Sequence, residues 1–472
     1  MKSQTMIILG TVLFPNIILA NNEEESDSKS KKNIILIALD DLRTELNCYG
    51  ADYMYTPNFD KFASSGVIFN RAYCNIPVSG ASRASLLTGT RPTRNRFLNF
   101  ATVAEEQKPD KFGINEYFQS LGYRTEVRGK IFHNPKDHVD GWDKVHEFYQ
   151  PNYLKEENIK CGKLGAPYEC VDVDDFEYAE GKRTLGALKD LENLSNSGQP
   201  FFYGFGFIKP HLPFVSPQKY WDIYEGKVSI PDNYRLKENN KIPLQALTKF
   251  GELRQYKGVP KEGELSEQEA KKLIQGYRAC VSYVDNLFGM IINKIKELGL
   301  DKNSIIVLFG DHGWSLGEHG LWCKHTIFET MLNAPLIIYD PSSKLNGKEC
   351  NEVVEFIDIF PTICEASGVP VPSQAEGMSL VPLMNNEKAK SKGYAVSRWM
   401  QGYTLLTDDN LFYTEWWDKD DNVTERMLFD HNNDPDENYN VVNNPQYKDR
   451  LNDLSKKLKN RRGAEFDKYT DN

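Results

Sequence analysis

The sequence predicts an α/β fold in which a mixed, mostly parallel sheet is flanked by helices, followed by a smaller C-terminal α+β subdomain with an antiparallel sheet. Three observations carry this. Unbroken apolar runs of strand length, Ile34 to Leu39, Phe201 to Phe207 and Ile305 to Phe309, read as strands covered on both faces, as in a parallel sheet. Helical patterns alternate with strands from early in the chain. From about residue 393 the pattern changes to short strands in close succession, an antiparallel meander.

The composition is that of a soluble globular protein, with 40% apolar and 26% charged residues, and a net charge of −10 argues against a nucleic-acid binder. Residues 1–20 stand apart. Lys2 supplies a positive start, Met6 to Leu19 is mostly apolar with Pro15 interrupting it, and Ala20 offers a small residue for cleavage, which together read as a signal peptide. Its removal takes away one positive charge, leaving −10 − 1 = −11. No later apolar run is long enough to cross a bilayer, and no Cys follows the apolar stretch to carry a lipid. The expectation is an exported, soluble protein, periplasmic or secreted, with no membrane and no nucleic acid among its partners. Residues 21–32 are polar and charged and read as a flexible leader.

Eight cysteines show no metal-binding spacing. Cys161 and Cys170 bracket a short loop containing Gly and Pro, and in an oxidising compartment they are expected to form a disulfide. The others read as buried thiols.

In chain order, the first strand ends directly in Asp40-Asp41. Open α/β sheets place their ligands at such C-terminal strand ends, and two like charges beside a buried strand repel unless a cation joins them. Residues 56–66 read as a helix with Thr56 as N-cap, Pro57 first, Phe59, Phe62 and Ala63 on one face, and Gly66 at the end. Val67-Ile68-Phe69 follows as a strand. The run Pro77-Val78-Ser79-Gly80-Ala81-Ser82-Arg83 then reads as a loop feeding a short helix that stops at Gly89. Ser79 falls near the helix N-terminus, where free N–H groups favour an anion, although by itself it reads as an ordinary N-capping serine.

A helix over 114–121 and a strand over 123–127 lead to Lys130 and His133. The acidic, Tyr-rich stretch 137–180 reads as an insertion that shapes a substrate entrance. Leu185, Leu188, Leu191 and Leu194 mark a helix, and the next strand ends in Lys209-Pro210-His211-Leu212-Pro213, where prolines on both sides fix the backbone of His211. The longest helix opens at Ser266, with Glu269 completing a capping box, and its apolar stripe from Leu273 to Leu298 reads as core scaffold. The strand after it ends in Gly310-Asp311-His312-Gly313, a second carboxylate at a strand end. Two such sites make a shared divalent cation the better explanation. Glu318, His319 and Cys323 follow with no role assigned, then Lys324. Four short strands and an amphipathic helix over 451–458 complete the chain.

Taken together, Leu39-Asp40-Asp41-Leu42-Arg43, Ser79-Gly80-Ala81-Ser82-Arg83, Gly129-Lys130-Ile131-Phe132-His133, Lys209-Pro210-His211, Asp311-His312-Gly313-Trp314, Gly317-Glu318-His319-Gly320 and Lys324 resemble the type I sulfatases of the alkaline phosphatase superfamily, most closely the iduronate 2-sulfatase-like branch. The resemblance implies an alkaline phosphatase-like fold, with a catalytic sulfatase domain over 33–375 and the C-terminal subdomain over 376–472. It implies that Ser79 is the residue oxidised to formylglycine, as in the serine-type sulfatases, which need a radical-SAM maturase; Ala81 stands where Pro is commoner. It implies a Ca2+ ion held by Asp40, Asp41, Asp311 and His312 with the modified Ser79 oxygen. Attack by the hydrated aldehyde on sulfur would give a covalent sulfate hemiester. Lys130 and Lys324 would bind the sulfuryl group, Arg83 would hold the formylglycine, His211 would protonate the leaving alcohol, and His133 would take the proton that releases sulfate. The implied activity is that of a sulfuric-ester hydrolase acting on a sulfated carbohydrate, a glycan derived from a polysaccharide. Two other readings remain open: a phosphodiesterase or phosphonate hydrolase on the same fold, and a catalytically silent protein that binds sulfated glycan.

Overall fold

The computed structural model describes residues 31–147, 153–248 and 251–466. The predicted signal peptide and nearly all of the leader lie outside them. The chain divides after Lys31, and the fold is that of the larger unit, from Lys32 onward.

Asn33–Asp40 forms the centre of an eight-stranded sheet, paired in parallel with Phe201–Pro210 on one side and Ser304–Gly310 on the other. Across the sheet the order is Glu349–Cys350, Val67–Phe69, Leu336–Tyr339, Ser304–Gly310, Asn33–Asp40, Phe201–Pro210, Arg124–Gly129 and Lys144–Val145. Leu336–Tyr339 runs antiparallel to both neighbours, so the sheet is mixed but mostly parallel. The central strand is apolar throughout because both its faces are covered. Strand alternation sends Ile35, Ile37 and Leu39 into the core shared with the helix Glu267–Glu297, and Ile34, Leu36 and Ala38 into the core shared with the helix Ile359–Ser367. The capping box at Ser266 is formed: Glu269 N donates to Ser266 Oγ, and Ser266 N donates to the Glu269 carboxylate.

The C-terminal meander is Tyr394–Trp399, Gly402–Thr407, Leu411–Trp417 and Val423–Asp430, each strand antiparallel to the next. Leu454 and Leu458 of the helix Lys448–Phe466 cover one face, while Ala395, Leu406 and Phe412 on the other join the main core. No helix among the described residues is long and apolar enough to cross a membrane.

Three local expectations change and one gains detail. The helix Pro57–Ala63 takes no cap from the Thr56 side chain; instead the Asp285 carboxylate, reaching in from the long helix, accepts from Asn58 N and Phe59 N. Ser79 is the first residue of the helix Ser79–Thr88, and the N-cap position falls on Val78, so Ser79 is not a capping serine. The stretch 137–180 is woven into the fold: Lys144–Val145 adds the edge strand and Tyr168–Val171 pairs with Phe214–Pro217. The expected disulfide is not formed. Cys161 and Cys170 are free thiols, Cys161 Sγ turning to the Glu157 carbonyl at 3.3 Å while Cys170 lies on the paired strand.

Candidate active site

Four adjacent strands deliver the predicted residues to one end of the sheet. Leu39 lies opposite Gly310 and Asp40 opposite Pro210, so Asp40-Asp41, Asp311-His312 and His211 emerge side by side. Gly129 lies opposite Gly206, which brings Lys130 to the same edge. A Cβ at Gly206 would stand 2.0 Å from the Lys130 carbonyl oxygen, so only glycine allows this approach.

Successive side chains on a strand point to opposite faces, and a continuing strand would separate Asp40 from Asp41. A left-handed backbone at Asp41, φ 61°, turns its carboxylate back. That conformation is held at both ends: Asp41 N donates to Asp311 Oδ1 at 3.1 Å, and Asp41 O accepts from the Tyr277 hydroxyl at 2.8 Å. Arg43 N donates to the same hydroxyl at 3.0 Å, so Tyr277 staples the turn.

Ser79 Oγ, 2% exposed at the residue level, sits between these strand ends, 3.0 Å from Asp40 Oδ1 and 3.0 Å from His312 Nε2. His312 Nδ1 lies 2.9 Å from the Gly313 carbonyl oxygen, which fixes the proton on Nδ1 and leaves Nε2 as the acceptor. Arg83, fully buried, ties three strand ends together: Nε donates to Asp311 Oδ2 at 2.8 Å, one terminal nitrogen to the carbonyls of Lys130 and Ile131, and the other lies 3.5 Å from Asp40 Oδ1. Lys130 pairs with Asp40, and Lys324 Nζ reaches both oxygens of Asp41 at 2.9 and 3.0 Å.

One oxygen or nitrogen from each of Asp41, Asp311 and His312 falls within a sphere of separations below 4.8 Å, and the same holds for Asp40, Asp41 and His211. Buried carboxylates with one correctly oriented imidazole suit a hard divalent cation, and the residues present fit such an ion. Burial pushes the Asp40 carboxyl up, yet Lys130, His211, Arg83 and Lys324 outweigh it and hold it well below the usual carboxylate range. Asp41 is raised, by burial above all and also by Asp40.

The two remaining histidines differ in protonation. Burial, reinforced by the Lys130 charge, pushes His133 down to about 3, so it is neutral, and its Nδ1 is buried with no hydrogen-bond partner among the described residues. His211 is raised: burial opposes its charge, but Asp41 and Glu252 prevail. His211 Nε2 lies 3.0 Å from Glu252 Oε1 and 3.7 Å from Asp41 Oδ2, and its Nδ1 lies 2.7 Å from the Leu212 carbonyl. Asp40, Lys130, His133 and His211 line one cavity of about 540 Å³.

All the predicted residues are thus brought together. Sequence reasoning missed three others. Glu252 bridges His211 and Lys324, the latter at 3.1 Å; Tyr277 staples Asp41; and Lys209 Nζ donates to the carbonyls of His211 and Pro213, closing the turn that presents His211. Glu318, left without a role, accepts from Arg43 at 2.7 Å and so links the loops after the two Asp-bearing strands.

Clustered carboxylates that could hold a metal ion at the C-terminal end of a mostly parallel sheet, around a buried serine at a helix start, fit a hydrolase of the alkaline phosphatase-like fold. The chain belongs to the sulfatase family, the sulfuric-ester hydrolases: the Sulfatase family model matches residues 32–369, and the model for the C-terminal part of N-sulphoglucosamine sulphohydrolase matches residues 317–464. It is 30% identical over 441 residues to the iduronate 2-sulfatase of Mus musculus, covering 84% of this chain and 78% of that protein. It is 29% identical over 473 residues to a sulfatase of Formosa agariphila, covering 96% and 90%. In fold it matches a structure solved with its substrate D-glucosamine-2-N,6-O-disulfate (TM-score 0.73, 24% identity, 92% of this chain and 98% of that one). It also matches a phosphonate monoester hydrolase from Silicibacter pomeroyi (TM-score 0.77, 22% identity, 92% and 96%). Sulfatases of this family generally use formylglycine and a divalent metal.

Proposed function

We propose that this protein is an exported sulfatase that removes sulfate from a sulfated carbohydrate, with Ser79 oxidised to formylglycine by a radical-SAM maturase and Ca2+ as its metal. The observation that carries this reading is the position of Ser79 Oγ, 3.0 Å from both Asp40 and His312 at the first turn of a helix. The names of its relatives, iduronate 2-sulfatase among them, favour a sulfated sugar as the substrate class.

Asp40, Asp41, Asp311 and His312 would hold the ion, with the oxygen of residue 79 beside them. Bound there, a dication supplies positive charge to a sulfate oxygen and to the attacking oxygen. Lys130 and Lys324, paired with Asp40 and Asp41 here, would face the sulfate once those carboxylates serve as ligands. Arg83 keeps residue 79 in line through Asp311 and the Lys130 carbonyl. His211, held protonated, gives its proton to the leaving oxygen, and neutral His133 accepts the one that must leave as sulfate is released.

Mass spectrometry of the Ser79 peptide from protein co-produced with a maturase should show the loss of two hydrogens. Released sulfate should then be measured across a glycan panel, beside a phosphodiester. Faster phosphodiester turnover, or activity with an intact serine, would overturn the assignment.

A further inference from the structure

Glu252 reaches the site from outside the sheet. It lies in the stretch that joins the helix Gln218–Asp222 to the long helix Glu267–Glu297, directly before the single turn Leu253–Gln255. Several contacts fix that turn. Leu253 and Tyr256 are buried in the main core, and Lys257 N donates to the Leu164 and Gly165 carbonyls at 3.3 and 3.0 Å. The Arg254 guanidinium donates to the carbonyls of Pro260 and Gly263 at 2.9 and 2.7 Å. A carboxylate mounted on a turn so anchored keeps one place.

Its two oxygens go to different partners: Oε1 lies 3.0 Å from His211 Nε2, and Oε2 lies 3.1 Å from Lys324 Nζ. Both partners border one indole, with Lys324 Nζ 5.0 Å and the His211 ring centroid 6.4 Å from the Trp314 ring. Two N–H groups facing the same space hold a fixed separation only if an acceptor joins them. Asp41 does not join them, because it stands 3.7 Å from His211 Nε2, beyond hydrogen-bond reach, and is among the proposed metal ligands. His211 Nδ1 is tied to the Leu212 carbonyl at 2.7 Å, so Glu252 supplies the second point that sets the plane of the ring. With Nδ1 so occupied, Nε2 is the nitrogen left to face a leaving oxygen.

We propose that Glu252 is a positioning residue for the reaction: it aims His211 Nε2 at the leaving oxygen and sets its distance from Lys324, so that the proton donor and the sulfate-binding cation stay in register. This rests on the proposed sulfatase activity.

The test uses the full chain shown to carry formylglycine and two substrates, the aryl ester 4-nitrophenyl sulfate and a sugar monosulfate from the glycan panel. Glu252→Gln should lower kcat/KM for the sugar ester about 30-fold and for the aryl ester no more than about threefold, because a good leaving group needs no aimed proton donor. Added to His211→Asn, it should cost the sugar ester no more than about a further threefold, since the two residues act as one unit. Glu252→Asp, which keeps the carboxylate on the same turn, should recover part of the loss. An equal loss on the two esters, or losses that multiply in the double variant, overturns the positioning role while leaving the sulfatase activity intact. Wild-type protein that carries formylglycine and cleaves neither ester overturns the sulfatase reading, and this inference with it.

Discussion

Two buried histidine–carboxylate clusters in this molecule use the same residue types to different ends. Beside the C-terminal meander, His431 lies between Glu329 and Glu437, its ring nitrogens 2.9 and 3.1 Å from their oxygens, and its ring stacks on Phe412 at 3.8 Å. Both nitrogens are consumed, so the group can only hold the two parts together. At the strand ends, His312 spends Nδ1 on a carbonyl and keeps Nε2 for Ser79. What separates a staple from a site is an unspent lone pair aimed at a shared point.

The largest effect tests the open cluster. Ser79→Ala should lower sulfate release by at least about 10³-fold with little change in melting temperature, measured by released sulfate and calorimetry. The closed cluster should respond the other way, in stability. His431→Gln leaves the buried Glu437 and the half-buried Glu329 carboxylates without their cation and should cost about 2 kcal/mol in urea unfolding. Burial opposes the His431 charge, yet hydrogen bonds to Glu329 and Glu437 raise it to about 10. A raised pKa stabilises fully below the ordinary value of about 6.5 and fades as pH climbs through about 10. Wild-type stability should therefore fall over that range, with a shallower slope in His431→Gln.

His211→Asn should reduce kcat/KM for sugar sulfates about 10²-fold and for 4-nitrophenyl sulfate much less, because a good leaving group needs no acid. With His211 raised and His133 near 3, the wild type should keep activity through the acid range and lose it on the alkaline side. That alkaline limb should vanish in His211→Asn. The smallest effect should come from Tyr277→Phe. Removing the hydroxyl loosens Asp41 and should weaken calcium binding about tenfold, read by titration of chelator-treated protein. Tyr224→Phe, which removes a buried hydroxyl 2.6 Å from Ser282 on the same long helix, should leave calcium affinity alone.

Much of this was legible in the chain. Apolar runs ending in Asp40-Asp41, in Asp311-His312 and in the proline-flanked His211 announce a parallel sheet with its ligands at one end, because strand end and side chain are adjacent in sequence. Most of the supports were not legible, because they act across long separations. Tyr277 sits within an apolar stripe where its hydroxyl gives no periodic signal, Asp285 caps a helix 227 positions away, and Glu252 lies in a charged stretch without pattern. Nor does any spacing foretell a left-handed Asp41.

The burial of Ser79 sets an order of events. A Cβ on Gly80 would stand 2.3 Å from the Phe100 carbonyl, so the loop through Asn99 and Phe100 lies directly against the start of that helix, and Ser79 itself is 2% exposed. An enzyme that oxidises Ser79 must take the surrounding segment into its own active site, which the folded chain does not permit. The proposed maturation therefore belongs to the interval before folding, and refolded, unmodified protein should be refractory to the maturase.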